Sequence, residues 1–90
     1  MPRFPEFNCH LGGVIRANRE RMAISQTALA ERAGVTRRFI QELENGRTEV
    51  SLQTLFALSS ALETSLAEIC AQIENAVNAP PAKQVASENG

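Results

Sequence analysis

The side chains with the most distinctive hydrogen-bonding chemistry lie near the middle of the chain, at Arg37, Arg38 and Gln41. A guanidinium group can donate two parallel hydrogen bonds to the major-groove edge of guanine, and a carboxamide can pair in a similar way with adenine. Residues at spacings of three and four lie on the same side of a helix. If this segment is helical, it presents side chains that are suited to reading base edges in DNA.

Two short helices must position these side chains, and the sequence predicts both. Ser25 is a good N-cap for a helix over residues 26–33, and Thr36 is a good N-cap for a helix from residue 37 to about residue 44. Gly34 can adopt the left-handed conformation that ends the first of the two helices. The turn between them is therefore only three residues long.

Small and apolar residues in the same segment have the spacing that two closely crossing helices require. Ala30 is small where the second helix would lie across the first, and Ile40 and Leu43 would anchor that second helix to the core. The segment from Gln26 to Asn45 therefore predicts a helix-turn-helix. The residues of its second helix left facing solvent would be Arg37, Arg38, Gln41 and Glu42.

Three more helices complete the prediction of an all-α domain with five helices. The first runs from Leu11 to Met22, the fourth follows Ser51, and the fifth follows a capping box that pairs Ser65 with Glu68. The inward positions of the first four helices are expected to be Leu11, Val14, Ile15, Met22, Leu29, Ala30, Ala33, Ile40, Leu43, Leu52, Leu55, Leu58 and Leu62.

The domain boundaries follow from composition. Residues 1–10 contain two prolines and show no helical period, so they are predicted to be an N-terminal arm. Gly12 and Gly13 weaken the first turn of the helix that follows. Residues 11–78 form the predicted DNA-binding and dimerisation domain, and residues 79–90, rich in Pro, Ala and polar residues, form a predicted disordered tail.

Composition argues against several other classes of protein. Cys9 and Cys70 are far apart, with no CxxC pair and a single histidine, His10, so we expect neither a disulfide scaffold nor a metal site. No apolar run approaches the roughly 20 residues of a membrane span, and no signal peptide is evident, which predicts a soluble, cytoplasmic protein. A Ser-His-Asp triad is impossible because the chain has no Asp. We expect no enzyme activity and no cofactor.

The charge is distributed unevenly along the chain, although the formal net charge is only -1. Residues 1–50 hold eight Arg against six Glu, a net of +2, and residues 51–90 hold one Lys against four Glu, a net of -3. A nucleic-acid-binding face needs only local positive charge. The net charge therefore does not exclude DNA as a partner.

Residues 11–69 closely resemble the helix-turn-helix domains of the lambda-repressor-like family, also described as the Cro-repressor or XRE family. The matching residues are Arg19, Ser25-Gln26, Leu29-Ala30, Ala33-Gly34-Val35, Phe39-Ile40, Glu44-Asn45-Gly46 and Ser51-Leu52-Gln53-Thr54-Leu55. The resemblance implies a five-helix fold with the helix-turn-helix at helices 2 and 3. It also implies dimeric binding to palindromic operators.

The resemblance further implies roles for individual residues. Arg37, Arg38 and Gln41 would belong to the recognition helix, and Gln26 would contact a phosphate. Some phage repressors of the family carry Gln where this chain has Arg37 and Arg38, so their base preference does not transfer, and we expect a G-rich half-site. The predicted DNA-binding residues are Gln26, Thr36, Arg37, Arg38, Gln41 and Arg47, with Phe39, Ser25 and Asn45 as further candidates.

Two of the matching features admit a structural interpretation. Arg19 and Glu44 resemble the family's internal ion pair, but Arg19 could instead touch a phosphate. Phe39 could lie beside the DNA backbone or a thymine methyl group, or it could pack against the second helix. The sequence does not choose between these alternatives.

The apolar residues of the fifth helix predict a homodimer. Leu66 and Ile69 can close the monomer core, but the stripe of this helix continues through Cys70 and Ile73 to Val77. A two-fold partner would cover that end, with Ile69, Ile73 and Val77 in the interface. The alternative is that the N-terminal arm folds back over the stripe through Phe4 and Phe7.

These observations together predict a sequence-specific DNA-binding transcriptional regulator, and specifically a dimeric repressor. Two other functions are alternatives for a small protein with this fold. One is a HipB-type antitoxin, which binds a toxin protein as well as its own operator, and the other is a restriction-modification controller. A third alternative is a protein-interaction module on the same fold. Exposed Arg37 and Arg38 weigh against the last.

Overall fold

Five helices make up the part of the protein that the computed structural model describes, residues 5–79. They are α1 (Pro5–Arg21), α2 (Gln26–Ala33), α3 (Arg37–Glu44), α4 (Leu52–Ala61) and α5 (Leu66–Asn78). Helix α3 packs against α1 and α2, α5 packs against α1 and α4, and α2 also packs against α4. These residues contain no strand, so the predicted all-α fold is confirmed. None of the five helices is long and apolar enough to cross a membrane.

Helices α2 to α5 each begin at a hydroxyl N-cap. In each case the Oγ atom accepts a hydrogen bond of 2.9–3.0 Å from the backbone N–H three residues later; the caps are Ser25, Thr36, Ser51 and Ser65. Such a cap satisfies one of the free N–H groups of the first turn and is typically worth about 1 kcal/mol. The capping box predicted at Ser65 is only half formed, since the Glu68 carboxylate accepts from Gln72 at 2.9 Å.

The turn between α2 and α3 depends on Gly34. Its φ angle of 75° lies in the left-handed region, and its N–H donates to the carbonyl of Ala30. Glycine adopts this conformation without the steric cost that a Cβ would add. Ala30 of α2 is small and only 3% exposed, and α2 packs against α3. The predicted turn of the helix-turn-helix is therefore present.

One core joins all five helices. Its buried residues are Leu11, Val14, Ile15, Leu29, Ala30, Ile40, Leu43, Leu55, Leu58, Ala61, Leu62, Ile69 and Ile73. Met22, Ala33 and Leu66 are partly buried against it. The prediction for Leu52 was wrong, because its side chain is 68% exposed. Leu52 is the first residue of α4, and it lines a surface groove together with Phe7 and Leu55.

Helix α1 begins six residues earlier than the sequence predicted. Residues 5–10, assigned to the arm, form its first turns. Pro5 is suited to the first turn of a helix because the N–H it lacks would have no partner there. The carboxylate of Glu6 in the same turn favours the positive end of the helix dipole. Residues 1–4 and 80–90, including Phe4 and most of the predicted tail, lie outside the described residues.

Gly12 explains how α1 and the end of α3 approach so closely. A Cβ atom on Gly12 would lie 2.2 Å from the carbonyl oxygen of Leu43 and 2.9 Å from that of Glu44. The neighbouring Gly13 has no atom within 4 Å of the same position. Gly12 therefore fixes the C-terminal end of α3 against α1, whereas the sequence pattern showed only a weakened helix start.

Candidate nucleic-acid interface

Helix α3 has one buried face and one face of hydrogen-bonding side chains. Ile40 and Leu43 are fully buried against the core. Arg37, Arg38 and Gln41 are exposed on the other side. The helix is thus held rigidly while two guanidinium groups and one carboxamide point into solvent, which is the arrangement that base reading in a major groove requires.

Polar groups suited to phosphate lie at the N-caps of α2 and α3 and just after the end of α3. The Thr36 hydroxyl accepts from the N–H of Phe39 at 3.0 Å, so its own proton is free to be donated to another group. Ser25, Asn45 and Arg47 are exposed as well. The predicted contact residues therefore lie at the beginning of α2, at the cap and along the length of α3, and in the segment just after α3.

Two residues of α3 are less exposed than an outward position implies. Glu42 was predicted to face solvent and is half-buried, so it is less accessible than Arg37, Arg38 and Gln41. Phe39 is also half-buried and packs against the core. Between the two interpretations of Phe39, the contacts favour packing, with part of the ring left accessible.

Arg19 of α1 and Glu44 of α3 lie together as a two-pronged ion pair. Arg19 Nε donates to Glu44 Oε2 at 2.6 Å, and Arg19 Nη2 donates to Glu44 Oε1 at 3.0 Å. The two side chains are only 12% and 2% exposed, respectively. Hydrogen bonding to Glu44 raises the pKa of Arg19 above its ordinary value, so this guanidinium remains charged.

The same pair reaches the beginning of α2. Arg19 Nη1 donates to the carbonyl of Ile24 at 2.9 Å, just before the Ser25 cap. Gln26 Nε2 donates to Glu44 Oε1 at 3.1 Å. One carboxylate therefore connects α1, the start of α2 and the end of α3.

Sequence reasoning missed a second polar network, between α1 and α5. Asn18 is 2% exposed, and its amide donates to the Val14 carbonyl and to Gln72 Oε1, both at 2.8 Å. Arg21 donates to the Asn18 carbonyl oxygen. A signal was available: position 18 falls on the same helical stripe as Leu11 and Val14, so a polar residue there needs buried partners.

The structure corrects the predicted dimer residues. Ile69 and Ile73 are 0% and 4% exposed within a single chain, so they belong to its own core. Of the three predicted interface residues, Val77 is exposed, at 41%. Phe7, on the added turns of α1, lines a groove together with Ile73 and Val77 and is itself 42% exposed. Phe4, the other residue of the alternative in which the N-terminal segment covers the stripe, lies outside the described residues.

The remaining candidates for chemistry do not gather into a site. Cys9 and Cys70 are exposed free thiols. Within residues 5–79, no group of three or more His, Cys, Asp or Glu side chains is placed to hold a metal ion.

This fold and this surface define a helix-turn-helix DNA-binding protein. A model of the helix-turn-helix family HTH_3 matches residues 15–69, which is more than half of the chain. The chain belongs to this XRE-type family and is a DNA-binding transcriptional regulator. No curated protein sequence gave a significant match.

Several solved structures are similar to this chain over most of its length. The restriction-modification controller protein C.AhdI from Aeromonas hydrophila is 26% identical, with a TM-score of 0.72 over 76% of this chain and 99% of C.AhdI. The clp gene regulator ClgR from Corynebacterium glutamicum is 28% identical in one structure, with a TM-score of 0.76 over 89% of this chain and 100% of that chain. A second ClgR structure is 30% identical, with a TM-score of 0.76 over 92% of this chain and 84% of that chain.

Proposed function

We propose that this protein is a homodimeric repressor that acts in the cytoplasm and recognises a palindromic operator through α3. The observation that carries the proposal is the exposure of Arg37, Arg38 and Gln41 on a helix whose other face is buried. Two copies of α3, related by a two-fold axis, would enter successive major grooves about one DNA turn, ~34 Å, apart. Occupation of a promoter by such a dimer would block transcription.

The proposed contacts fall into two groups: those that bind phosphates and position the protein, and those that read base edges. Gln26, Thr36 and Arg47, together with N–H groups at helix N-termini, would bind phosphates and set the register of the protein on the duplex. Arg37, Arg38 and Gln41 would read base edges. Since two of these readers are arginines, we expect guanine-rich half-sites.

Substitution of the arginines tests this division. Arg37→Ala or Arg38→Ala should weaken binding to the operator by about 1–3 kcal/mol for a lost guanine contact and should relax the preference at one base position. Gln26→Ala and Arg47→Ala should weaken binding to all sequences about equally and lower the salt dependence of the affinity. Fluorescence anisotropy with operator and scrambled duplexes measures both effects. Equal losses on the two duplexes for Arg37→Ala and Arg38→Ala would assign them to phosphates instead.

An exposed apolar surface near the beginning of α1 supports the dimer. Among the described residues, the large exposed hydrophobic side chains are Phe7, Leu52, Phe56 and Val77, which we call the apolar patch. Phe7, Leu52 and Val77 line two adjoining grooves that share Phe7, Leu55 and Ile73, and Phe56 lies one turn after Leu52. A second copy with the same patch would remove four such side chains per chain from water.

Val77→Asp should convert the dimer to a monomer because it places a charge within the apolar patch. Ala71→Asp is the matched control, since Ala71 is exposed on α5 but lies on the other side of that helix from Ile73 and Val77. Sedimentation at micromolar concentration should give a dimer for the wild type and for the control. A wild-type protein that sediments as a monomer would contradict the dimer model.

Control of a restriction-modification system is a second, narrower candidate. The similarity to C.AhdI over almost all of that protein favours it. The position of the selected operator in the genome tests this role, because a controller should bind upstream of a restriction or modification gene. An operator located elsewhere would argue for a regulator of other genes.

A further inference from the structure

Gln26 has an unusual partner for a residue that is expected to contact DNA. Its carboxamide is half-buried, and Nε2 donates to a Glu44 carboxylate whose side chain is only 2% exposed. Glu44 lies at the last residue of α3, and Gln26 is the first residue of α2. A negatively charged residue behind a phosphate contact would be unfavourable by itself. Arg19 offsets that charge through its two hydrogen bonds to the same carboxylate.

The chemistry of the two groups fixes the orientation of the Gln26 amide. An ionised carboxylate can only accept hydrogen bonds, so the Nε2 end of the amide must face Glu44. One of the two Nε2 protons is used in that bond, and the other remains available. A free glutamine side chain would lose rotamer entropy when it is ordered against a phosphate. The bond to Glu44 orders part of that side chain before DNA arrives.

We propose that Glu44 is a positioning residue for DNA binding: it holds the Gln26 carboxamide so that its second N–H is directed to a backbone phosphate. This inference rests on the proposed phosphate contact of Gln26. Glu44 also anchors the end of α3 through Arg19, so one buried carboxylate sets the relative placement of the phosphate contact and the recognition helix. The position of Gln26 on a phosphate and the position of α3 in the major groove are therefore linked.

A double-mutant cycle tests the coupling on the full chain. Glu44→Gln keeps the size of the side chain but leaves one acceptor oxygen for the three hydrogen bonds that Arg19 and Gln26 make to this residue, and its new NH2 group can donate. The orientation of the Gln26 amide is then no longer fixed. Gln26→Ala should lower the affinity for duplex DNA about 10-fold, the value expected for one charge-assisted hydrogen bond. Glu44→Gln should lower it about 3- to 10-fold in the wild-type background. In the Gln26→Ala background, the same substitution should change the affinity less than about 2-fold, because the group it positions is gone and the retained oxygen at position 44 is free to accept from Arg19.

Arg47 provides the control cycle. Its exposed side chain is also a proposed phosphate contact, but none of the hydrogen bonds to Glu44 comes from it. Glu44→Gln and Arg47→Ala should therefore lower the affinity by factors that multiply. Circular dichroism at the binding temperature must show that each variant is fully folded, so that a change in stability is not counted as a change in affinity.

The outcomes separate this inference from the proposed function. If Gln26→Ala leaves DNA affinity unchanged, the phosphate contact itself is wrong and both proposals about Gln26 fail. If Gln26→Ala weakens binding but Glu44→Gln has no effect, or has the same effect with and without Gln26, the contact stands and the positioning role of Glu44 is wrong. Coupling in the Arg47 cycle of the same size would indicate a general structural effect and would also overturn the proposal.

NMR relaxation of side-chain amides in the free wild-type protein decides the matter if Glu44→Gln does not fold. The Gln26 carboxamide should be as rigid as the backbone of α2. Gln41 and Gln53, both exposed, provide the comparison within the same molecule. A Gln26 amide as mobile as those two would contradict the proposal.

Discussion

Replacing Gly12 by alanine should destabilise the protein by about 2 kcal/mol and displace the end of the recognition helix. The added Cβ would meet two backbone carbonyl oxygens, at 2.2 and 2.9 Å, and neither can rotate away as a side chain could. Overpacking of this kind typically costs 1–3 kcal/mol, and here it exceeds the gain of about 1 kcal/mol that alanine brings to a helix interior. Urea denaturation measures the stability, and the affinity for operator DNA reports the displacement.

Gly13→Ala is the matched control, one residue further along the same helix. No atom lies within 4 Å of its Cβ position, so the substitution should stabilise the protein by about 0.5–1 kcal/mol through helix propensity alone. DNA affinity should be unchanged. Equal stabilities for the two alanine variants would show that α1 and the end of α3 do not approach as closely as described.

Removing the carboxylate at position 44 should have the largest effect on stability. Glu44→Ala leaves the Arg19 guanidinium, with a side chain only 12% exposed, without the partner that neutralises it. Breaking a buried ion pair from one side typically costs 3–5 kcal/mol, so we expect a loss of about 3 kcal/mol or more. For a domain of this size, that is a large fraction of the total stability. The protein should therefore unfold at much lower urea concentration.

An exposed ion pair on α1, the helix that carries Arg19, provides the comparison for this loss of stability. Arg16 and Glu20 pair at 3.3 Å, with side chains 56% and 59% exposed. Arg16→Ala should cost less than about 0.5 kcal/mol, because solvent screens this pair. If Glu44→Ala were no more destabilising than Arg16→Ala, the structural role of the Arg19–Glu44 pair would be wrong.

The helix-turn-helix could be predicted from sequence because its signals are local. Ser25, Thr36 and Gly34 determine where two helices begin and where one ends through contacts within four residues, and the bounds of α2 and α3 match the prediction. The exposed face of α3 follows from the burial of Ile40 and Leu43 on its other side. The pairing of Arg19 with Glu44, in contrast, was expected only from a family resemblance.

The missed features depend on contacts between segments that are distant in the chain. From the sequence alone, Gly12 indicates only a weakened helix. The structure shows that the carbonyl groups of residues 43 and 44 leave no room for a larger residue at this position. Ile73 was expected in a dimer interface because the apolar stripe of α5 continues beyond the residues that were assigned to the monomer core. The extension of α1 to residue 5, which lengthens the body beside α5, was not predicted. The bond between Gln26 and Glu44 joins residues on different helices, and no periodicity indicates it.

Selection of bound duplexes from a random DNA pool tests the central claim most directly. The wild-type protein should enrich one motif made of two inverted, guanine-rich half-sites whose centres lie about one helical turn, roughly 10 base pairs, apart. Under the same conditions, the double variant Arg37→Ala/Arg38→Ala should lose the guanine preference within each half-site while the spacing between half-sites persists. Failure of the folded wild-type protein to enrich any motif, or enrichment of the same motif by the double variant, would contradict recognition of DNA through the arginines of α3.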